Sequence, residues 1–186
     1  MGEGKVQAVM FVEAQAPQEA GETTQSSAPR VAGQVAALCW RMHKRRVQVL
    51  LVTSRDTGRW VLPKGWPIQG LGPEGAAARE AWEEAGVEGK VSAVPIGAFH
   101  YNKVLRNLET LPCAVSVFPL RVESLKSRFP ERHQRRRKWM SADEAANAVA
   151  EADLREMLLQ LDRAPEVLSP PGARRGAERK RAASVA

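Results

Sequence analysis

The feature that most limits how this chain can fold is one helix with marked ends, set between a Gly/Pro loop and apolar runs. The loop covers Pro63 to Gly72. Gly72 suits a helix cap, and Pro73 suits a first turn, where no backbone donor is lost. Glu74 complements the positive end of the helix dipole. Ala76, Ala77, Ala78 and Ala81 are strong helix formers. Gly86 stands where a left-handed cap ends a helix. Glu80, Glu83 and Glu84 fall at i, i+3 and i+4, which puts three carboxylates on one face. Like charges at that spacing repel. One reading is a solvated acidic face. The other is a divalent cation that removes the repulsion, and Mg²⁺ prefers such oxygen ligands.

What surrounds this helix reads as alternating strands and helices. Residues 34–41 and 47–53 look like buried strands joined by a basic turn. A short strand around 59–62 follows the turn Asp56-Thr57-Gly58. Strands resume near 91–102 and 110–122, with a turn at Arg106-Asn107, and residues 136–140 add a short one. A last amphipathic helix or helix pair spans 141–161, with Leu154, Leu158 and Leu161 spaced for one face. That order predicts an α/β chain with a mixed sheet covered by helices.

Arg79 directly precedes Glu80, so the stretch reads Gly65, then Arg79-Glu80-Ala81-Trp82-Glu83-Glu84-Ala85-Gly86-Val87. This resembles the Nudix box. Its pattern is a glycine, a glutamate farther on, and then Arg-Glu-aliphatic-x-Glu-Glu-x-Gly-aliphatic. Gly65 falls at the family glycine, and Ala81 is a small version of the aliphatic position. One position departs: Leu71 stands where the family has its first glutamate. The resemblance implies a Nudix-type α/β/α sandwich with a mixed β-sheet. It implies Mg²⁺, or Mn²⁺, held by Glu80, Glu83, Glu84 and the Gly65 carbonyl. It also implies Arg79 orienting a glutamate through a charge-assisted hydrogen bond. Glu80 is the expected proton acceptor, with Glu83 beside it in catalysis. A glutamate from a later loop serves some members, and Glu131 and Glu109 are the candidates here.

A second resemblance rests on Arg59-Trp60-Val61-Leu62-Pro63-Lys64-Gly65-Trp66 and on residues 130–139, Pro-Glu-Arg-His-Gln-Arg-Arg-Arg-Lys-Trp. With the box, these look like the diphosphoinositol polyphosphate phosphohydrolase branch in a bacterial-style form, over about 33–161. Such substrates carry dense negative charge. Arg132, Arg135, Arg136, Arg137 and Lys138 offer five cations in seven positions, and arginine grips phosphate with a fork. Arg135, Arg136 and Arg137 are the expected substrate contacts, with Ser54, Arg55 and Lys64 beside them. His100, Lys103 and Arg106 are weaker candidates. Trp139 reads as core, and Trp66 either packs or covers the substrate. The expected activity is hydrolysis of a phosphoanhydride bond in a diphosphoinositol polyphosphate or diadenosine polyphosphate. Two alternatives stay open. One is a pyrophosphatase for a nucleoside triphosphate, a sugar nucleotide or a capped RNA. The other is a polyanion-binding module with little catalysis, motivated by Leu71 and the basic C-terminal stretch.

A net charge of +7 favours acidic partners without choosing among them. A phosphorylated small molecule is expected, nucleic acid is less favoured, and no membrane partner is expected. No apolar run approaches the roughly 20 residues that cross a bilayer. Residues 6–12 form a poor secretion signal. Cys39 and Cys113 belong to no C-x-x-C pair and are expected to be buried, reduced thiols in a cytoplasmic protein. Residues 1–31 read as an unstructured arm, 32–166 as the domain, and 167–186 as an unstructured basic tail.

Overall fold

The computed structural model describes residues 31–105 and 108–168. Arg106 and Asn107, the first 30 residues and the tail beyond Leu168 lie outside them, and so do the readings made there. The elements in chain order are β1 (Ala32–His43), β2 (Arg46–Thr53), β3 (Trp60–Val61), β4 (Lys64–Gly65) and α1 (Pro73–Ala85). They continue with β5 (Val87–Val91), β6 (Gly97–Val104), β7 (Thr110–Leu125), β8 (Arg137–Ser141), α2 (Ala142–Ala148) and α3 (Ala152–Gln160). A 3₁₀ turn, Pro165–Leu168, closes the described chain.

The strands form one mixed sheet. β1 runs parallel to β7, with Ala32 opposite Cys113 and Trp40 opposite Arg121. The other pairings are antiparallel: β2 with β1, β3 and β8, and β4 with β1. β7 is long enough to serve two partners, β6 along Thr110–Val117 and β5 along Leu120–Leu125. The strand expected near 91–102 is β6, and β5 was not foreseen. β5 starts directly after Gly86, and β6 starts at Gly97, beyond Pro95.

Strand geometry sends alternate side chains to opposite faces, and each face has its own core. On one face Val35, Ala37, Cys39, Leu50, Val52, Phe118 and Leu120 meet Ala76, Ala77, Ala81 and Ala85 of α1. Small alanines let the helix lie close to the strands. On the other face Leu38, Val49, Leu51, Phe99, Val115 and Val117 meet Leu154, Leu158, Leu161 and Leu168. The result is the expected α/β/α sandwich. Cys39 and Cys113 are both buried and unbridged.

The helix ends follow local chemistry. Gly86 takes φ 63°, in the left-handed region, and its N–H closes α1 on Trp82 O. The expected C-terminal helix is a pair. Ser141 and Glu144 form a reciprocal capping box that starts α2, and the chain turns at Val149 before α3.

Candidate active site

The carboxylates converge where α1 passes the short strand β4. The alanine stripe fixes the rotation of α1 about its axis. Glu84 therefore turns inward, with a side chain only 7% exposed, while Glu80 and Glu83 stand at the rim. Gly65 faces the same way, because it pairs with Val35 of the α1-side core. A Cβ on Gly65 would lie 2.0 Å from Glu80 Oε1. Only glycine lets this carboxylate rest against the strand. Among the described residues the Glu80 side chain accepts no hydrogen bond.

The neighbouring carboxylates are held by cations. Arg79 Nε donates to Glu83 Oε1 one turn along α1. Arg135 reaches in from the loop before β8. It donates through Nη2 to Glu84 Oε1, through Nε to Glu131 Oε2, and through Nη1 to Thr53 O at 2.9 Å. The Lys64 amide donates to Glu84 Oε2 at 3.3 Å. Arg55 reaches Glu131 Oε1 at 3.3 Å. The backbone locks the loop as well, since Glu131 N donates to Glu83 O at 3.0 Å.

These surroundings shift proton affinities. Burial, opposed by Arg135 and reinforced by Glu80 and Glu131, raises the Glu84 carboxyl to about 7. Burial, then Glu83 and Glu131, raise Glu80, with Arg135 and Lys64 opposing. Four carboxylates thus press on one another at the mouth of α1. An oxygen-only, anion-rich donor set fits a hard divalent cation. Among the described residues no three His, Cys, Asp or Glu side chains are set as a ready-made metal cage. Guanidinium groups stand among the carboxylates instead, which the spacing of the glutamates on the helix does not foretell.

The structure sorts the residues expected to bind substrate. Lys64, Gly65, Arg79, Arg135 and Glu131 meet Glu80, Glu83 or Glu84, and Arg55 reaches the cluster through Glu131. Arg135 is not an open phosphate contact: its side chain is 7% exposed and its donors serve acceptors from this chain. Arg137 is also turned away. Its Nη1 donates to Ala85 O at the negative end of α1, and its guanidinium covers the Phe129 ring. Arg136 is exposed, lies 5.8 Å from the Trp60 ring, and anchors its amide on Thr53 Oγ1. Ser54 serves its own turn, with its hydroxyl bonded to Thr57 Oγ1 and accepting from Thr57 N. His100 pairs with Asp153 at 2.9 Å. Glu109 sits at the β6–β7 hairpin tip, where its carbonyl accepts from Leu105 N, so Glu131 is the loop glutamate that enters the cluster. Trp139 packs on the α1-side core, with Arg41 4.1 Å from its ring centre. Leu71 is half exposed and lines an open groove with Arg79 and Trp82, on the outer side of α1. The Arg135 bridge escaped sequence reading. Its one signal was the i, i+4 spacing of Glu131 and Arg135.

Known proteins resemble this chain in sequence and in fold. The chain is 32% identical over 112 residues to mouse diphosphoinositol polyphosphate phosphohydrolase 3-alpha, covering 59% of this chain and 64% of that protein. It is 35% identical over 104 residues to Arabidopsis thaliana Nudix hydrolase 12, mitochondrial, covering 54% of this chain and 51% of the relative. The match thus spans less than two-thirds of these relatives. A Nudix hydrolase from Nitrosomonas europaea shares the fold with a TM-score of 0.57 at 21% identity, over 77% of this chain and 95% of that one. A Caenorhabditis elegans Ap4A hydrolase binary complex does so with a TM-score of 0.53 at 18% identity, over 70% and 95%. The NUDIX domain model matches residues 32–161, from the first residue of β1 to the end of α3 and its cap, and the chain belongs to the Nudix family.

Proposed function

We propose that this chain is a metal-dependent Nudix hydrolase. Its reaction is cleavage of a phosphoanhydride bond in a diphosphoinositol polyphosphate or a diadenosine polyphosphate. The observation that carries the reading is the fit of the unbonded Glu80 carboxylate against Gly65, beside Glu83 and Glu84. Support comes from the names of the relatives: one is a diphosphoinositol polyphosphate phosphohydrolase, and a fold neighbour is an Ap4A hydrolase. The proposed working unit is residues 32–166.

Glu80, Glu83, Glu84 and the Gly65 carbonyl would hold Mg²⁺ or Mn²⁺. When bound, the ion supplies Lewis acidity and charge neutralisation for the phosphates. The chain does the rest. Glu80 accepts a proton from the attacking water, helped by a proton affinity raised above that of an ordinary carboxylate. The water oxygen bonds to phosphorus as the bridging P–O bond breaks. The departing phosphate carries away the bridge electrons, and Glu80 later returns its proton to solvent. Arg79 keeps Glu83 in place, and Arg135 does so for Glu84. Arg55 is 56% exposed and sits at the rim, where an incoming anion meets it first.

The test is a panel of an inositol pyrophosphate, a diadenosine polyphosphate, ADP-ribose and a nucleoside triphosphate, with Mg²⁺ or Mn²⁺ and Glu83→Gln as control. Turnover that requires both metal and Glu83 supports the reading. Silence on every member removes it in favour of a polyanion-binding module.

A further inference from the structure

The turn between β1 and β2 lies well away from the carboxylates. Gly65 and Lys64 pair with Val35 and Ala36 near the start of β1, and His43 ends that strand, so about 23 Å of extended chain separates the two places. β7 accompanies β1 only as far as Trp40, which lies opposite Arg121. β8 joins β2 only from Gln48, opposite Ser141. Between those limits the two strands pair with each other alone, Met42 with Val47 and His43 with Arg46. Residues 41–47 are therefore a two-stranded ribbon with no flanking strand.

The tip of this ribbon is strained. Lys44 and Arg45 follow one another at φ 47° and 66°. A two-residue hairpin turn needs such a left-handed pair, and Asn-Gly is the sequence that adopts it most readily. A longer side chain crowds the backbone there. This chain keeps two cations instead, and strain retained in that way points to a use for the side chains.

The cations at the tip have no counter-charge. Lys44, Arg45 and Arg46 are exposed, and so is Arg121 beside the base of the ribbon. Among the described residues none of the four forms an ion pair or lies over a ring. Arg41 differs, because it donates to Gln48 and covers the Trp139 ring. The neighbouring carboxylates are engaged elsewhere. Glu123 on β7 pairs with Lys90, and Glu144 at the start of α2 is held in the Ser141 capping box.

Adjacent cations without counter-charges favour a polyanion. The ribbon has no Phe, Tyr or Trp on which an unpaired base could stack. The nearest rings, Trp40 and Trp139, pack on the two cores. Met42 is its one exposed large apolar side chain, too little for the apolar face that enters a bilayer. A two-stranded ribbon does fit a groove of a nucleic-acid duplex. We infer that Lys44, Arg45 and Arg46, with Arg121 beside them, bind the phosphate backbone of a nucleic-acid duplex. Phosphate contacts carry no sequence information, so this binding is independent of base sequence. It is also independent of the carboxylate cluster, and so of the hydrolase reading.

The test is a salt titration of binding by the full chain. The probes are a short DNA duplex, an RNA duplex of equal length, and vesicles of phosphatidylserine and phosphatidylcholine. One variant is Lys44→Asn with Arg45→Gly, and a second, Lys44→Arg with Arg45→Lys, keeps the charges. A third, Arg128→Asn with Arg163→Asn, removes equal charge from exposed positions elsewhere. Each phosphate contact adds about 0.9 to the slope of log K against log salt, which is about 8-fold in affinity near 0.1 M. The Asn-Gly variant is therefore expected to bind about 60-fold more weakly at that salt, with a slope shallower by about 2. Its denaturant midpoint should rise, which separates lost contacts from lost fold. The other two variants should bind within about 3-fold of the parent. The duplex bound more tightly identifies the nucleic acid. Failure of the parent to bind either duplex overturns the inference. So does an Asn-Gly variant that binds like the Arg128 and Arg163 variant. Binding that depends on the hairpin but is seen only with vesicles overturns it in favour of a membrane surface.

Discussion

Replacing Arg135 by methionine tests the electrostatic core of the site. The side chains of Arg135 and Glu84 are each 7% exposed, so the relevant scale is that of a buried pair. Removing one partner of such a pair costs about 3–5 kcal/mol, because the other charge is left uncompensated. Glu84 can escape part of that cost by taking up a proton. Its carboxyl already titrates at about 7 with Arg135 present, and it rises further once that stabilising cation is gone. At pH 8 this escape is only partial, and we expect a loss of about 3 kcal/mol, the low end of that range. At pH 5.5 Glu84 is neutral in the variant, and the loss falls to about 1–2 kcal/mol, the cost of the unpaired Thr53 carbonyl. For a domain of this size the loss at pH 8 lowers Tm by about 10 °C. The assay is calorimetric unfolding with a chelator present, on the parent chain, Arg135→Met, Glu84→Gln and the double variant. The double variant should recover most of the loss at pH 8, since an amide needs no counter-cation. An equal loss at both pH values, with no recovery in the double variant, would refute the reasoning.

Four further outcomes follow from the same geometry. The raised Glu84 carboxyl favours the protonated form in the folded chain, so its contribution is complete below about pH 4.5 and fades as pH rises through about 7. Glu84→Gln should therefore flatten the fall in Tm over that window, and an unchanged slope would place the titration elsewhere. Gly65→Ala drives a methyl into the Glu80 carboxylate and should cut kcat about 100-fold while the far-ultraviolet circular dichroism stays that of the parent. Glu80→Gln should lower kcat by about 10²–10⁴ with the fold intact, and loss of the rising limb of the pH–rate profile would mark it as the proton acceptor. Lys44 and Arg45 turn the β1–β2 hairpin at φ 47° and 66°, where side chains crowd the backbone. Lys44→Asn with Arg45→Gly should stabilise the chain by about 1 kcal/mol, read as a higher denaturant midpoint.

What was legible in the sequence was local. The caps of α1, its alanine stripe and the shared face of Glu80, Glu83 and Glu84 depend on contacts within four residues, which helix periodicity states outright. Arg79 holding Glu83 is likewise an i, i+4 pair. The capping box of α2 and the leucines of the last helix were readable for the same reason. Tertiary structure decided what depends on distant partners. β4 exists only because β1 pairs with it, and strand alternation there sends Gly65 and Lys64 to opposite faces. The basic run at 135–137 looked uniform in sequence. Packing splits it into a buried clamp on Glu84, an exposed side chain beside Trp60, and a cap on α1. Charge and spacing along a chain name the groups available for phosphate chemistry. Which of them faces the substrate is set by the folded surroundings, because burial and a nearby opposite charge, both non-local, determine whether a cation is spent or free.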